Sequence, residues 1–336
     1  MHACARTGTA PREGRAPRRP RMTPASARTA PAGFEHEVLF YRDERTFLAG
    51  LLPYVSEGIA RGEYVVVAEP PGRLEPLRSA LGADADAVRW LDVTEVGANP
   101  ARLIGACTAL LAEATATGRV LRGVGESSWP GRHDAEYAEC RLHELLLATA
   151  FADGPGWRLL CPYDQAHLPR DVRTGALHSH PFVATPTGRR PSTAFSPHAA
   201  GTDFGTPLPP PSEGVLRGTY GAADLRPTRK TVASFARSCG LSSGQCEALE
   251  LAAAELATNS VRHGGGSGHL AMWRTDDAAV VEFSDSGRLP GPLLGRVPPP
   301  VDRHGGRGLY LVNQLCDLVQ VRSGRWGTTV RVTTWR

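Results

Sequence analysis

Two hydrophobic rhythms divide this chain. From Phe34 onward, short continuous apolar runs alternate with stretches of helical period. Residues 36–41 read as a strand, and 43–61 as a helix with Phe47, Leu48, Leu51, Leu52, Val55 and Ile59 facing inward. A β-branched strand at 63–68, a helix at 72–81 and a strand at 88–92 follow. Asn99-Pro100 is a helix-start signal and predicts a long helix over 99–118. A strand at 120–125, a helix at 136–151 and a strand at 157–163 complete the series. Continuous apolar strands between amphipathic helices predict a mostly parallel α/β sheet covered on both faces.

From Val215 the pattern becomes that of an α+β sandwich. It predicts a strand at 215–220, a helix at 225–239 with Pro227 in its first turn, and a helix at 246–263. Leu249, Ala252, Ala253, Leu256 and Ser260 form the inward face of the second helix, and Gly264-Gly-Gly ends it. A hairpin around Asp276-Asp277 joins strands at 270–274 and 278–284; a helix at 309–316 precedes closing strands at 318–323 and 327–334.

This second half carries the candidate chemistry. Glu255 and Asn259 are four residues apart and share one helix face. An amide oxygen can ligate magnesium, which is usually held by few protein ligands plus phosphates and water. A carboxylate one turn away can take a proton from an attacking hydroxyl. Asp285 ends a strand, where it can accept from an exocyclic amine such as adenine N6, and Gly287 allows close backbone approach. Gly305-Gly306-Arg-Gly308-Leu opens a helix whose N–H groups suit phosphate. Gly327-Thr328-Thr329 lies on the last strand. Each piece alone is weak, since a Glu-x-x-x-Asn pair is usually a solvated helix face and Asp-x-Gly usually a turn. Their order and spacing favour an ATP pocket.

The 336-residue length suits two domains. The net charge of +4 is unevenly placed. Arg6, Arg12, Arg15, Arg18, Arg19, Arg21 and Arg28 stand against a single acid, Glu13, among Pro, Ala, Thr and Gly. Residues 1–33 are therefore expected to be a disordered basic tail. A solvated tail is favoured over a nucleic-acid arm, and a translation start at Met22 stays open. Residues 182–213, rich in Pro, Thr, Ser, Gly and His, read as a flexible linker between domains at 34–181 and 214–336. No apolar run reaches membrane-spanning length and the start lacks a signal-peptide core. Seven scattered cysteines without a Cys-x-x-Cys suggest buried thiols in a reducing cytoplasm, and no metal site is expected.

The ordered motifs Glu255-Leu-Ala-Thr-Asn259-Ser-Val-Arg-His263-Gly264, Asp285-Ser-Gly287, Gly306-Arg-Gly308 and Gly327-Thr328 resemble those of the GHKL, or Bergerat-fold, ATPases. The likeness is nearest to the anti-sigma-factor serine kinases, which share the compact size and the Glu-x-x-x-Asn-x-x-x-His-Gly form. The resemblance implies ATP and Mg²⁺ as cofactors, with Asn259 as magnesium ligand and Asp285 as adenine contact. It further implies Gly287, Gly306 and Gly308 as nucleotide-loop glycines, Thr328 beside the adenine-side water network and Glu255 as general base. An anti-sigma antagonist protein and a sigma factor are the implied partners. Residues 297–306 read as a lid; it is proline-rich where such kinases often carry more acidic and basic residues, which bears on rate more than on binding.

In the first half, Asn99-Pro-Ala-Arg102, Arg122-Gly-Val-Gly-Glu126-Ser-Ser-Trp129, Glu139-Cys-Arg-Leu-His143-Glu144 and Leu160-Cys-Pro-Tyr163-Asp164 resemble the MEDS sensory domain. That likeness implies a RecA/KaiC-like α/β fold, but no Gly-x-x-x-x-Gly-Lys-Ser/Thr is present, so hydrolysis by this half is not expected. Strand carboxyl ends face the crevice where such sheets bind ligands. Glu126, Trp129, His143 and Tyr163 are accordingly expected to line a small-molecule cleft, although capping and packing roles explain them equally well. The expectation is a cytoplasmic regulator: a sensory domain governing an anti-sigma-type serine kinase. A sensor histidine kinase using His143 and a non-catalytic, nucleotide-gated binding module are its rivals. A homodimer is left open; membrane and direct nucleic-acid binding are not expected.

Overall fold

A computed structural model describes residues 1–2, 31–211, 214–299 and 306–336. Most of the expected basic tail, two linker residues and the core of the expected lid, 300–305, lie outside the described residues.

The first half is built on β1 (Phe34–Tyr41), α1 (Glu44–Ala60), β2 (Tyr64–Glu69), α2 (Pro71–Leu81), β3 (Val88–Asp92), α3 (Val93–Val96), α4 (Leu103–Ala116), β4 (Leu121–Gly125), α5 (Asp134–Ala150), β5 (Trp157–Asp164) and α6 (Arg170–Ser179). It continues through β6 (Phe182–Thr185), β7 (Gly188–Pro191) and α7 (Ala199–Gly205). The sheet order is β3-β2-β4-β5-β1-β6-β7, parallel throughout except for the β6–β7 hairpin. Strand pleating sends Leu39 and Tyr41 toward the α1 and α2 side, into a cluster with Phe47, Leu51 and Leu77. Val38, Leu159 and Cys161 face the other way and pack with Leu142 and Leu146 of α5. The sheet is thus covered on both faces, as the apolar runs predicted.

Two expectations need correction. The segment expected as a flexible linker instead adds β6 and β7 to the sheet edge and forms α7. Val183 is buried beside β1, and Ala200 and Phe204 of α7 are buried too. Three apolar anchors among many polar residues suffice for edge elements, and they are too sparse to register as periodicity. The helix expected over 99–118 begins with a 3-10 turn at Pro100–Arg102 and becomes α-helical only at Leu103. Asn99 caps that turn, its side chain accepting from Ala101 N.

The second half comprises β8 (Leu216–Gly221), α8 (Leu225–Ser238), α9 (Ser243–His263), β9 (Ser267–Arg274), β10 (Ala278–Asp285), α10 (Arg307–Leu315), β11 (Leu318–Gly324) and β12 (Gly327–Trp335). Its sheet, ordered β11-β12-β10-β9-β8, is antiparallel throughout. α9 starts at a reciprocal cap between Ser242 and Gln245 and ends at Gly264, followed by Gly265 at φ 98°. Its face of Leu249, Ala252, Ala253, Leu256, Ala257 and Ser260 is buried, leaving Glu255 and Asn259 half-buried at its edge.

The halves meet through a polar interface beside a continuous apolar core. Glu139 on α5 is fully buried and pairs with Arg296 at 2.6 Å and Arg322 at 2.7 Å. Asn99 donates to the carbonyl of Asn313 at 3.0 Å; Arg102 donates to those of Asn313 and Cys316 at 2.8 and 3.0 Å. These carbonyls end α10, where a helix has no donors of its own left for its last acceptors and carries partial negative charge.

Candidate functional site

A cavity of about 320 Å³ opens between α9, the end of β10 and the start of α10. Asn259, Asp285, Gly287, Gly306, Gly308 and Thr328 line it, with Leu256, Phe283, Leu309 and Val330 as apolar walls. Six expected site residues thus converge from four separate motifs.

Asp285 is the last residue of β10 and pairs in register with Thr328 of β12. A relay fixes its carboxylate: Tyr220 OH donates to Ser260 Oγ at 2.9 Å, and Ser260 Oγ donates to Asp285 Oδ2 at 2.7 Å. Gly287 N donates to Asp285 Oδ1 at 2.9 Å. Each oxygen keeps acceptor capacity for a further donor, the property an exocyclic amine requires. Gly264 lies so close that a Cβ there would strike the carboxylate. Thr328 Oγ1 donates to the Gly287 carbonyl at 2.9 Å and lies 2.8 Å from Ser323 Oγ, tying the Asp-x-Gly turn to the last two strands. Tyr220 and Ser260 were missed as site residues. The only available signal was a hydroxyl on an otherwise apolar helix face, directly after Asn259.

The opposite end of the cavity is a helix start. Gly306 precedes α10 in a left-handed conformation, φ 78°, with no side-chain cap on the first turn. Glu255 and Asn259 flank this turn: a Cβ on Gly308 would meet the Glu255 carboxylate and approach the Asn259 amide. Glu255 therefore stands behind Gly308, whereas Asn259 faces the cavity itself. One neutral amide, a carboxylate and a glycine-lined helix start fit a magnesium–triphosphate group, since the phosphates and water supply the remaining oxygens.

In the first half, the four residues expected to share one cleft fall in different surroundings. Glu126 follows β4 and turns toward α2, accepting from Tyr41 OH at 2.9 and 3.2 Å. It lies with Glu69, the last residue of β2, and close to Asp164, the last of β5, which accepts from Arg73 at 2.8 Å. Burial pushes the Glu126 carboxyl up to about 7; burial and then the Glu126 charge hold Glu69 well above the carboxylate range. Among the described residues no donor reaches either Glu69 oxygen, so a proton between the two carboxyls is the arrangement that satisfies them. His143 projects from α5 on the other side of the sheet into an apolar cavity of about 70 Å³. It is only 3% exposed and burial lowers it to about 4, so its ring is neutral and out of reach of a nucleotide. Tyr163 borders a separate cavity of about 220 Å³ beside Tyr137 and Arg141. Trp129 packs under the Arg132 guanidinium, 3.4 Å from the ring centroid. Pleating explains the scatter, because strand-end residues alternate between the faces that α2 and α5 cover. The β1–α1 connection has just Arg42 and Asp43, and Asp43 caps α1, so an acid stands where a phosphate loop would be needed.

An antiparallel sheet backed by helices, with this cavity between Asn259, Asp285 and the start of α10, defines an ATPase domain of the histidine-kinase type. Residues 221–334 match the family model described as histidine kinase-like ATPase domain, and residues 35–181 match that of MEDS, the methanogen/methylotroph, DcmR sensory domain. The chain therefore joins a MEDS domain to a histidine kinase-like ATPase domain. Among solved structures, the RsbU and RsbW domains of Rv1364c from Mycobacterium tuberculosis are similar at 19% identity and a TM-score of 0.28, covering 37% of this chain and 33% of that one. The chain thus spans about a third of that structure's length. Comparison with curated proteins gives no match. Among the described residues, no helix is long and apolar enough to cross a membrane.

Proposed function

We propose that the chain is a regulatory serine kinase of the anti-sigma-factor type, whose MEDS half modulates the ATPase half. The carrying observation is the placement of Glu255 and Asn259, one turn apart on α9, against Gly308 at the start of α10. In this reading Asp285 and Thr328 select the adenine end, and Gly287, Gly306 and Gly308 admit the phosphates close to backbone. Asn259 would hold magnesium, which would supply neutralising charge to the phosphates. Glu255 accepts the proton of the partner's serine as its oxygen bonds to the γ-phosphorus. The bond to the β–γ bridging oxygen breaks, and ADP leaves with that electron pair. An anti-sigma antagonist supplies the serine, and the same surface sequesters a sigma factor. The Glu139 bridge to Arg296 supports control by the MEDS half, because Arg296 lies in the segment leading to the expected lid.

Labelled ATP and Mg²⁺ incubated with the full chain and its co-purified partners test this reading. Acid-stable, base-labile phosphate on a partner, lost in Glu255→Gln with ATP binding retained, is the expected result. Acid-labile label on the chain itself identifies a histidine kinase instead. Nucleotide binding without label on any protein identifies a binding module.

A further inference from the structure

The core of the MEDS half holds four side chains that no part of the nucleotide chemistry uses. His36 on β1, Glu144 on α5, Cys161 on β5 and His180 just after α6 converge, with their ligating atoms all within 4.8 Å of one another. The strands are parallel neighbours with Val38 opposite Cys161, so His36 and Cys161 point from the same face of the sheet. α5 lies across that face and delivers Glu144. All four are at most 2% exposed.

The hydrogen bonding identifies what the cluster lacks. His180 Nδ1 lies 2.8 Å from the Ala176 carbonyl, which can only accept, so Nδ1 carries the proton. Ser179 Oγ, 3.0 Å from the same nitrogen, adds a further polar contact there. His180 Nε2 is then a bare lone pair; among the described residues it has no hydrogen-bond partner, and it lies 3.5 Å from Glu144 Oε2. Two acceptors facing each other in a sealed, apolar core are unfavourable unless a positive centre lies between them. His36 Nε2 approaches the same Glu144 Oε2 at 3.0 Å and Cys161 Sγ at 3.3 Å, so all four polar atoms crowd one point of the core.

We propose that His36 Nε2, Glu144 Oε2, Cys161 Sγ and His180 Nε2 form a tetrahedral site for a zinc-class divalent transition-metal ion. Zinc–nitrogen and zinc–sulfur bonds of their usual length place tetrahedral ligand atoms about 3.3–3.8 Å apart. Three observed separations fall in that span, 3.3 Å for His36–Cys161, 3.5 Å for His180–Glu144 and 3.7 Å for Cys161–Glu144; His36–Glu144 is shorter at 3.0 Å, and the two remaining pairs are within 4.8 Å. The nitrogen and sulfur donors select a borderline-soft ion over magnesium or calcium. The charges also balance, since a carboxylate and a thiolate offset a divalent cation. Binding releases the Cys161 thiol proton to solvent as the sulfur–metal bond forms. Outer contacts orient the ligands as a metal site needs: Ala176 fixes the His180 tautomer, and the Ser127 hydroxyl donates to the other Glu144 oxygen.

The test is metal content of the full chain, purified without chelator and measured by mass spectrometry, together with Co²⁺ reconstitution of the stripped protein. About one equivalent of zinc per chain is expected, and cobalt should give a thiolate charge-transfer band with intense tetrahedral d–d bands. Cys161→Ser should abolish the charge-transfer band, and His180→Ala should lower metal content at least tenfold. Folded wild-type protein, judged by near-ultraviolet circular dichroism, that takes up less than about a tenth of an equivalent of either metal overturns the site. Full retention with an unchanged cobalt spectrum in Cys161→Ser overturns it equally, placing the metal elsewhere. The wild-type spectrum decides the matter even if a variant fails to fold.

Discussion

In the ATPase half the candidate functional groups keep one side open. Asp285 and Asn259 are half-buried, tied to neighbours on one flank and free toward a cavity on the other. In the MEDS half the comparable groups are sealed: Glu69, Glu126, Glu144, His36 and His180 are at most 2% exposed. The open site keeps hydration available to its charges. The sealed site has to solve its charge problem internally, by sharing protons, by neutral histidines or by pairing. Polar groups in the first half are therefore coupled to stability, and those in the second mainly to ligand.

The largest test of this contrast is at Glu139. Glu139→Ala strands the Arg296 and Arg322 guanidinium groups in the interface, and breaking a buried pair this way should cost about 3–5 kcal/mol. Urea unfolding of the full chain measures it, and a loss below 1 kcal/mol, by the usual scale of exposed pairs, would mean the halves part readily. In the open site the expected effects fall on binding instead. Asn259→Ala should lower Mg²⁺-dependent ATP affinity about tenfold or more while leaving the unfolding midpoint near wild type, as for a lost polar contact worth 1–3 kcal/mol. Asp285→Asn should weaken ATP by a similar or smaller factor, because its amide N–H₂ must face either the Gly287 N–H or the nucleotide amine. Calorimetry on both variants reads these effects, and unchanged affinity in Asp285→Asn would remove the adenine-contact assignment.

The smallest and sharpest effect concerns pH. Glu126 has its carboxyl raised from 4.5 to about 7, so the folded chain holds a proton that the unfolded chain has released between those values. Its contribution to stability is full below about 4.5 and is lost as pH rises through about 7. Glu126→Gln should remove that decline. The difference between wild-type and variant melting temperatures across this window isolates it from His36 and His180, whose lowered values act in the opposite direction. A constant difference would show that Glu126 does not hold the proton.

The sequence made the second half far more legible than the first. Asn259, Asp285, Gly306 and Gly308 sit in short motifs whose order survives any view of the fold, and glycine at Gly308 is explained by the Glu255 carboxylate beside it. Tyr220 and Ser260 were hidden because a hydroxyl that turns inward looks like any small residue on an apolar face. In the first half the strands and helices were readable from their rhythm, but the sites were not. Glu126 and His143 lie on opposite faces of the sheet, a fact set by pleat and strand order. His36, Glu144, Cys161 and His180 are scattered from the first strand to the end of the sixth helix, and no spacing rule joins them. The linker was misjudged because β6 and β7 owe their place to an available sheet edge beside β1.

Helix α10 is gripped at both ends by different parts of the molecule. Its first turn faces the nucleotide cavity, and its last carbonyls accept from Asn99 and Arg102 of the MEDS half. Nine residues make a rod about 13 Å long, too short to bend and absorb a displacement applied at one end. Thermodynamic reciprocity then fixes how the halves converse. Whatever factor an event in the MEDS half imposes on nucleotide affinity through α10, nucleotide imposes the same factor on that event. Under the proposed function the ATPase half would be as much an input to the MEDS half as an output from it.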